Sequence, residues 1–190
     1  MSHSPRTVGH DECWAPNGEF RWADFCELGV YRWELGRVWD GSLPQVVFCG
    51  LNPSKAGARF DDATVRLWRG IAKRLGFGGF TAVNAYAVVE TYPRLLDYGT
   101  AKGQRTDEAL RHVVRQTATF VACWGAGCER RRQAEIVKIV RDLGRTIYVL
   151  GFTQDGFPRH PRGIPRDAQL LRAPTSWPSE LIPEGPAKEG

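Results

Sequence analysis

Gln45-Val-Val-Phe-Cys-Gly50 is a short apolar run, followed by the turn Leu51-Asn-Pro-Ser54 and then by apolar residues at helical spacing between 62 and 75. The run predicts a buried strand, and the spacing predicts a helix after it. The same alternation continues, with predicted strands at 80–88, 119–123 and 146–152 and predicted helices at 105–115 and 129–143. Because parallel strands need crossover connections of this length, the sequence predicts an α/β fold.

The expected architecture is a three-layer sandwich with a mostly parallel, four-stranded central sheet. A segment of alternating polar and apolar residues at 31–39 predicts an additional N-terminal edge strand. We expect residues 29–173 to form a single domain, since 190 residues suit one core. Residues 1–28 and 174–190 lack a clear period, which predicts a loosely ordered N-terminal segment and a flexible C-terminal tail.

The composition is that of a soluble globular protein, with 42% hydrophobic residues, 25% charged residues and a net charge of +5. Its apolar runs are far shorter than the roughly 20 residues that cross a bilayer, and the N-terminus lacks the apolar core of a secretory signal. Five cysteines without a CxxC spacing predict neither a disulfide framework nor a metal site. We therefore expect a cytoplasmic monomer with no membrane partner.

Polar residues follow the predicted strands, at the strand ends where open α/β sheets bind their ligands. Asn52 lies between a glycine and a proline that would hold its carboxamide where it can orient a water molecule. The same Asn-Pro-Ser sequence can also simply turn the chain. Asn84 interrupts an apolar strand, where a buried amide needs either a ligand or an internal hydrogen bond. Both alternatives stay open for each asparagine.

Three further features fall in the same loops. Asp61 and Asp62 precede a predicted helix, so they can cap it or supply a general base. His160 lies among prolines and arginines in a loop, where an imidazole can donate a hydrogen bond to developing negative charge. Trp124 and the glycines after it precede a basic helix, which is a weak anion-binding pattern, and Trp124 can equally be core.

Several of these motifs resemble, in the same order, a bacterial and phage family known only as domain of unknown function 1643. The motifs are Tyr31-Arg-Trp-Glu-Leu-Gly-Arg-Val-Trp39, Leu51-Asn-Pro-Ser54, Asp61-Asp62 with Thr64, Asn84-Ala-Tyr-Ala87, Trp124-Gly125 and Pro158-Arg-His-Pro161. The resemblance covers residues 28–172 and implies no activity.

A more distant resemblance is to the uracil-DNA glycosylase superfamily, especially its mismatch-specific thymine/uracil branch, which also has a Gly-x-Asn-Pro loop. It implies a DNA glycosylase-like hydrolase that cleaves the N-glycosidic bond of a modified or mismatched pyrimidine base flipped out of nucleic acid. By this resemblance Asn52 positions the water, Asn84 binds the edge of the base and His160 supports the departing base. Phe60 would stack on the base, and no metal or other cofactor is needed.

The candidate site therefore has three groups of residues. The catalytic group is Asn52, His160 and Asp62. The substrate-binding group is Gly50, Leu51, Pro53, Ser54, Phe60, Asp61, Asn84, Trp124, Gly125 and Pro161, and the phosphate-binding group is Lys55, Arg130, Arg159 and Arg162. The expected partner is nucleic acid, DNA in the first place, or a nucleotide. Two alternative functions stay open: a noncatalytic module that binds nucleic acid or nucleotides, and a hydrolase of a free nucleotide or nucleoside.

Overall fold

The computed structural model describes residues 9–165 and 167–178. Its strands are β1 (His10–Trp14), β2 (Phe20–Phe25), β3 (Arg32–Val38), β4 (Gln45–Gly50), β5 (Gly79–Asn84), β6 (Thr119–Ala122), β7 (Thr146–Val149) and β8 (Leu171–Arg172). Its α-helices are α1 (Ala63–Arg74), α2 (Tyr98–Ala101), α3 (Thr106–Gln116) and α4 (Arg130–Asp142), with a 3₁₀ turn at Pro93–Leu95.

The described residues form one eight-stranded mixed sheet in the order β1-β2-β3-β5-β4-β6-β7-β8. Strand β4 runs parallel to its neighbours β5 and β6, and β6 runs parallel to β7. The other four pairings are antiparallel: β1 with β2, β2 with β3, β3 with β5, and β7 with β8. Because β4, β5, β6 and β7 point the same way, the loops after them emerge at one edge of the sheet.

The prediction of a mostly parallel, four-stranded, uracil-DNA-glycosylase-like sandwich is wrong, since the described sheet has eight strands and four of its seven pairings are antiparallel. The predicted edge strand is also misplaced, because β3 lies inside the sheet between β2 and β5. Strands β1 and β2 fall in the segment predicted to be loosely ordered. They contain few aliphatic residues, and their aromatic rings pack on each other, with Phe20 lying 5.1 Å from Trp14 and 5.7 Å from Trp22 between ring centroids.

The predicted flexible tail at 174–190 is wrong in its first part. Trp177 is only 1% exposed, and its ring stacks on Trp124 at a centroid distance of 5.9 Å. Its indole N–H donates to the Gly156 carbonyl at 3.1 Å. A large aromatic residue after a Pro-Thr-Ser sequence thus completes the core, and residues 179–190 lie outside the described part of the chain.

The core has two halves, one on each face of the sheet. On one face, Trp68 of α1 packs against Phe48 of β4, with ring centroids 5.7 Å apart. On the other face, Leu110 of α3 and Ile136 of α4 belong to a second buried cluster, which includes the residues of β4 that point away from α1. Alternate residues of β4 therefore supply both halves, as expected for a strand buried on two sides.

Candidate functional site

A cavity of about 500 Å³ lies at the sheet edge where β4, β5 and β6 end. It is lined by ten of the predicted site residues: Gly50, Leu51, Asn52, Ser54, Asp62, Asn84, Trp124, Gly125, His160 and Arg162. The loops after three parallel strands thus bring together residues that lie more than 100 positions apart in sequence. A volume of this size is ordinary for a small-molecule site.

Asn84 ends β5 and is 4% exposed. Within the described residues, neither its Nδ2 nor its Oδ1 has a hydrogen-bond partner. Gly50 makes room for it, since a Cβ at that position would lie 2.9 Å from Asn84 Oδ1 and 3.1 Å from the Trp68 ring. A buried amide without partners costs free energy, so this side chain is suited to a ligand that offers both a donor and an acceptor.

Asn52 follows β4 and is held by the backbone around it. Its Nδ2 donates to the Pro53 carbonyl at 2.9 Å and to the Glu90 carbonyl at 2.7 Å. The amide orientation is therefore set, and Oδ1 accepts no hydrogen bond from the described residues. An acceptor fixed in this way can orient a water molecule at the cavity.

His160 is half-buried in the loop after β7. Its Nδ1 accepts a hydrogen bond from the Arg162 backbone N–H at 3.1 Å, which leaves the proton of the neutral ring on Nε2. Burial lowers the pKa of His160 below its ordinary value, and the charge of Arg162 adds to this effect against the opposite influence of Asp62. The imidazole is therefore a neutral hydrogen-bond donor at neutral pH.

The loop that carries His160 is joined to the loop after β6. The Gly125 backbone N–H donates to the Pro158 carbonyl at 2.9 Å. Trp124 is buried, and its indole N–H donates to Gln133 Oε1 at 3.2 Å, so its ring forms a fixed apolar wall of the cavity. Trp68 of α1 supplies a second such wall, which the helical pattern alone assigned to the core.

Asp62 is the N-cap of α1, which is one of the two roles predicted for it. Its Oδ1 accepts from the Val65 backbone N–H at 2.9 Å. The residue also lines the cavity, so capping does not exclude a second role for its other carboxylate oxygen.

Arg32 of β3 lines the cavity and was not predicted as a site residue. It is 2% exposed, and its Nη1 donates to the Ala56 carbonyl at 2.8 Å. Burial lowers its pKa to about 10, so it remains a cation at neutral pH. A half-exposed edge strand at 31–39, as the alternation predicts, would place Arg32 in solvent, whereas β3 lies inside the sheet. Only the presence of Arg32 in a motif shared with family 1643 pointed to it.

Seven predicted residues do not line the cavity: Pro53, Lys55, Phe60, Asp61, Arg130, Arg159 and Pro161. Phe60 is 57% exposed, so the aromatic walls of the cavity are Trp68 and Trp124 instead. Asp61 pairs with the buried Arg37 at 2.8 Å and also with Arg69. Burial opposes the ionisation of Asp61, but hydrogen bonds from these two arginines outweigh it and lower its pKa.

The predicted phosphate-binding residues are dispersed. The Arg130 guanidinium lies 4.9 Å from the Phe157 ring centroid, and Arg159 Nε donates to the Phe152 carbonyl at 2.9 Å. Lys55 is exposed outside the cavity, and Arg162 is the one predicted phosphate-binding residue in its lining. Pro53 and Pro161 are buried and serve the loop backbones.

Glu90 and Thr91 also line the cavity, from the segment after β5 and just beyond the predicted strand at 80–88. The described residues contain no group of three or more His, Cys, Asp or Glu side chains placed to hold a metal ion. None of their helices is both long enough and apolar enough to span a membrane.

A larger groove of about 710 Å³ lies on another part of the surface. Its walls include Tyr31 and Trp33, whose rings stack at 5.4 Å, and Arg105, which lies over the Trp33 ring. None of the predicted site residues lines it. None of the buried side-chain atoms that lack a hydrogen-bond partner among the described residues belongs to this groove, whereas Arg32 and Asn84 of the smaller cavity have such atoms, so the smaller cavity is the better candidate for chemistry.

Residues 32–162 match the model of a family described as "Protein of unknown function (DUF1643)". Since the match covers more than half of the chain, the protein belongs to this family, and the resemblance predicted from its motifs is confirmed. No curated protein matches the chain, and no solved structure matches it.

Proposed function

We propose that the cavity binds a pyrimidine base and that the protein hydrolyses the N-glycosidic bond between this base and its sugar, in DNA or in a nucleotide. The observation that carries the proposal is Asn84, a buried amide whose donor and acceptor have no partner among the described residues, in a cavity with aromatic walls. The edge of a pyrimidine ring presents a carbonyl oxygen beside a ring nitrogen. An amide can bind both at once, as a base-excising enzyme requires.

The chemistry needs two further groups, one for each product. As the bond from the base nitrogen to C1′ breaks, the electron pair stays on the base. The Nε2–H of neutral His160 can donate a hydrogen bond to the base oxygen on which this negative charge develops. Positive charge develops on the sugar at the same time, and a water molecule held by Asn52 Oδ1 would attack C1′.

The proton balance can be closed within the same cavity. The attacking water gives its oxygen to C1′ and releases a proton, which the free carboxylate oxygen of Asp62 can accept. The departing base takes up one proton, so the overall reaction consumes one water molecule. The similarity of Asn52, Asn84 and His160 to motif residues of the uracil-DNA glycosylases supports the assignment, whereas Asp62 has no clear counterpart in those enzymes.

A noncatalytic binding module is the second candidate. It is favoured by the dispersal of Lys55, Arg130 and Arg159, since enzymes that flip bases out of DNA need cations along the strand. Such a module would bind the same base through Asn84 without turnover.

The test is base release from oligonucleotides that carry uracil, mismatched thymine or modified pyrimidines, together with the corresponding free nucleotides, detected by mass spectrometry. We expect release by the natural protein and a loss of about 100-fold or more in Asn52→Ala, because water positioning is removed. Asn17→Ala, which changes an exposed asparagine in the β1–β2 turn, is the matched control and should retain full activity. Tight binding of a substrate without any release would contradict hydrolysis and favour the binding module.

A further inference from the structure

Three arginines of the described residues are buried: Arg32, Arg37 and Arg132. Arg37 pairs with Asp61 at 2.8 Å, and Arg132 pairs with Asp107 at 2.7 Å. Arg32 forms no salt bridge with any carboxylate in the described part of the chain. Within the described residues, Arg37 and Arg132 are thus paired with carboxylates, whereas Arg32, which faces the cavity, has no salt bridge and is influenced by the charge of Asp62 without a direct contact.

The hydrogen bonding of Arg32 is incomplete as well. A guanidinium has five N–H donors, and the described residues accept one bond from it, Nη1 to the Ala56 carbonyl at 2.8 Å. Its Nε is buried and has no hydrogen-bond partner in the part of the chain that the structure describes. Asp62 lines the same cavity but makes no ion pair with Arg32, and one of its oxygens already accepts from the Val65 backbone N–H.

A buried, unpaired cation is costly, and proteins rarely retain one unless an anion completes it. Asn84, the other buried polar side chain of this cavity, also lacks partners among the described residues. The unused hydrogen-bonding groups of Arg32 and Asn84 therefore suit a ligand with two parts, one that pairs with an amide and one that carries negative charge. A guanidinium binds phosphate oxygens in a bidentate manner, which suits the unused donors of Arg32.

We propose that Arg32 binds a phosphate group of the substrate, so that the cavity selects a nucleotide over a nucleoside. This inference rests on the proposed function, because it takes the ligand of Asn84 to be a pyrimidine base. The phosphate has two sources, the terminal phosphate of a free nucleotide and a phosphodiester within a strand. Arg32 is 2% exposed, so a terminal phosphate reaches it more readily than the backbone of a duplex does.

The experiment is isothermal titration calorimetry with deoxyuridine and thymidine, with their 5′-monophosphates, and with a single-stranded trinucleotide. We expect the natural protein to bind a monophosphate about tenfold or more tightly than its nucleoside. In Arg32→Gln this preference should disappear while the affinity for the nucleoside remains. Arg159→Gln, which changes an arginine outside the cavity, should keep the preference.

Arg32→Gln also loses the bond to Ala56, so Arg32→Lys serves as a second variant that keeps the charge and loses the bidentate geometry. It should retain part of the preference. Equal affinity of the natural protein for nucleoside and monophosphate would overturn the inference without any variant, as would a failure to bind any of these nucleotides. Tighter binding of the trinucleotide than of the monophosphate, lost in Arg32→Gln, would support the inference and identify a strand as the phosphate source.

The outcome is separable from that of the proposed hydrolysis. A phosphate preference without base release would support the role of Arg32 and contradict the hydrolytic function. Base release with equal affinity for nucleoside and monophosphate would support hydrolysis and overturn the role of Arg32.

Discussion

Asn84 and Asn52 are both asparagines at strand ends, yet the fold treats them differently. The two donors of Asn52 are occupied by backbone carbonyls, whereas Asn84 has no partner for either polar atom among the described residues. The hydrogen bonds of Asn52 fix the orientation of its side chain, whereas the donor and acceptor of Asn84 stay available to a ligand. The chemistry of a residue type thus depends on which of its atoms the fold satisfies.

Asn84→Leu tests whether the unpartnered amide is kept for binding. The two residues are similar in size, and leucine removes the buried polar atoms, so we expect the free energy of unfolding to rise by about 1 kcal/mol. Binding of the base should be lost. Urea denaturation and calorimetry of both proteins measure the two effects. Unchanged stability combined with unchanged binding would show that Asn84 has no ligand.

His160 predicts a particular dependence on pH. Its pKa is lowered from 6.5 in the folded state, so the unfolded chain takes up the proton first as the pH falls. The free energy of unfolding should therefore decrease below pH 6.5 and stop decreasing, as far as this residue contributes, below the lowered pKa. Protonation of Nδ1 would also break its bond with the Arg162 N–H, so base release should fall in the same acidic range.

Urea denaturation between pH 5 and 8 measures this effect as the difference between the natural protein and His160→Gln. The substitution should remove the decrease that begins near pH 6.5. An identical pH dependence of stability in the two proteins would refute the assigned shift.

Among the secondary-structure elements, helix α1 contributes both to the stability of the fold and to the lining of the cavity. Its N-cap, Asp62, lines the cavity from one end, and Trp68, two turns along, both packs on Phe48 and forms a cavity wall. The helix packs on the sheet through its apolar face and brings its first turn to the strand ends. Changes in this helix should therefore affect both folding and binding.

Two substitutions of Asp62 separate its capping role from its proposed chemical role. Asp62→Ala removes the cap and should lower the free energy of unfolding by about 1 kcal/mol. Asp62→Asn keeps a good capping side chain and should cost much less. Both should lose base release if the carboxylate accepts the proton of water. Full release by Asp62→Asn at unchanged stability would limit Asp62 to capping.

In the molecule as a whole, segments from both ends of the described chain pack against the elements that surround the central strands. Glu19, at the turn before β2, is fully buried and pairs with Arg69 of α1 at 2.7 Å and with Arg21 at 2.8 Å. This network joins the N-terminal strands to the helix behind the cavity. At the other end, Trp177 packs against Trp124 and Phe152, next to the loop that carries His160.

Trp177→Ala should lower the free energy of unfolding by about 3–5 kcal/mol, because it empties a site in the core that is filled by a large aromatic ring. Trp14→Ala is the matched control, since Trp14 is 72% exposed, and it should cost about 1 kcal/mol or less. Urea denaturation of the three proteins measures both values. Equal losses in the two variants would show that the C-terminal packing does not stabilise the fold.

The central strands and three of the helices were predictable because each has a pattern of its own. Strand β4 is a continuous apolar run, and α1 has its buried residues at helical spacing. The strand-end rule then selected Asn52, Asn84 and His160, which the structure brings to one cavity. Strands β1 and β2 had no such pattern, since they are stabilised by aromatic contacts between and within the two strands and, just before β2, by an ion pair from Glu19 to a distant helix.

Local patterns in the sequence were sufficient to place the central strands and helices along the chain and to find the loops that carry the polar residues, because periodicity and turn residues specify these features over a few positions. The three-dimensional fold was needed to show that β3 lies inside the sheet, that Phe60 lies outside the cavity, and that Arg32 lines the cavity without a salt bridge among the described residues. Those outcomes depend on which distant segments pair and which charges meet. Such long-range contacts produce no periodic pattern in a single sequence.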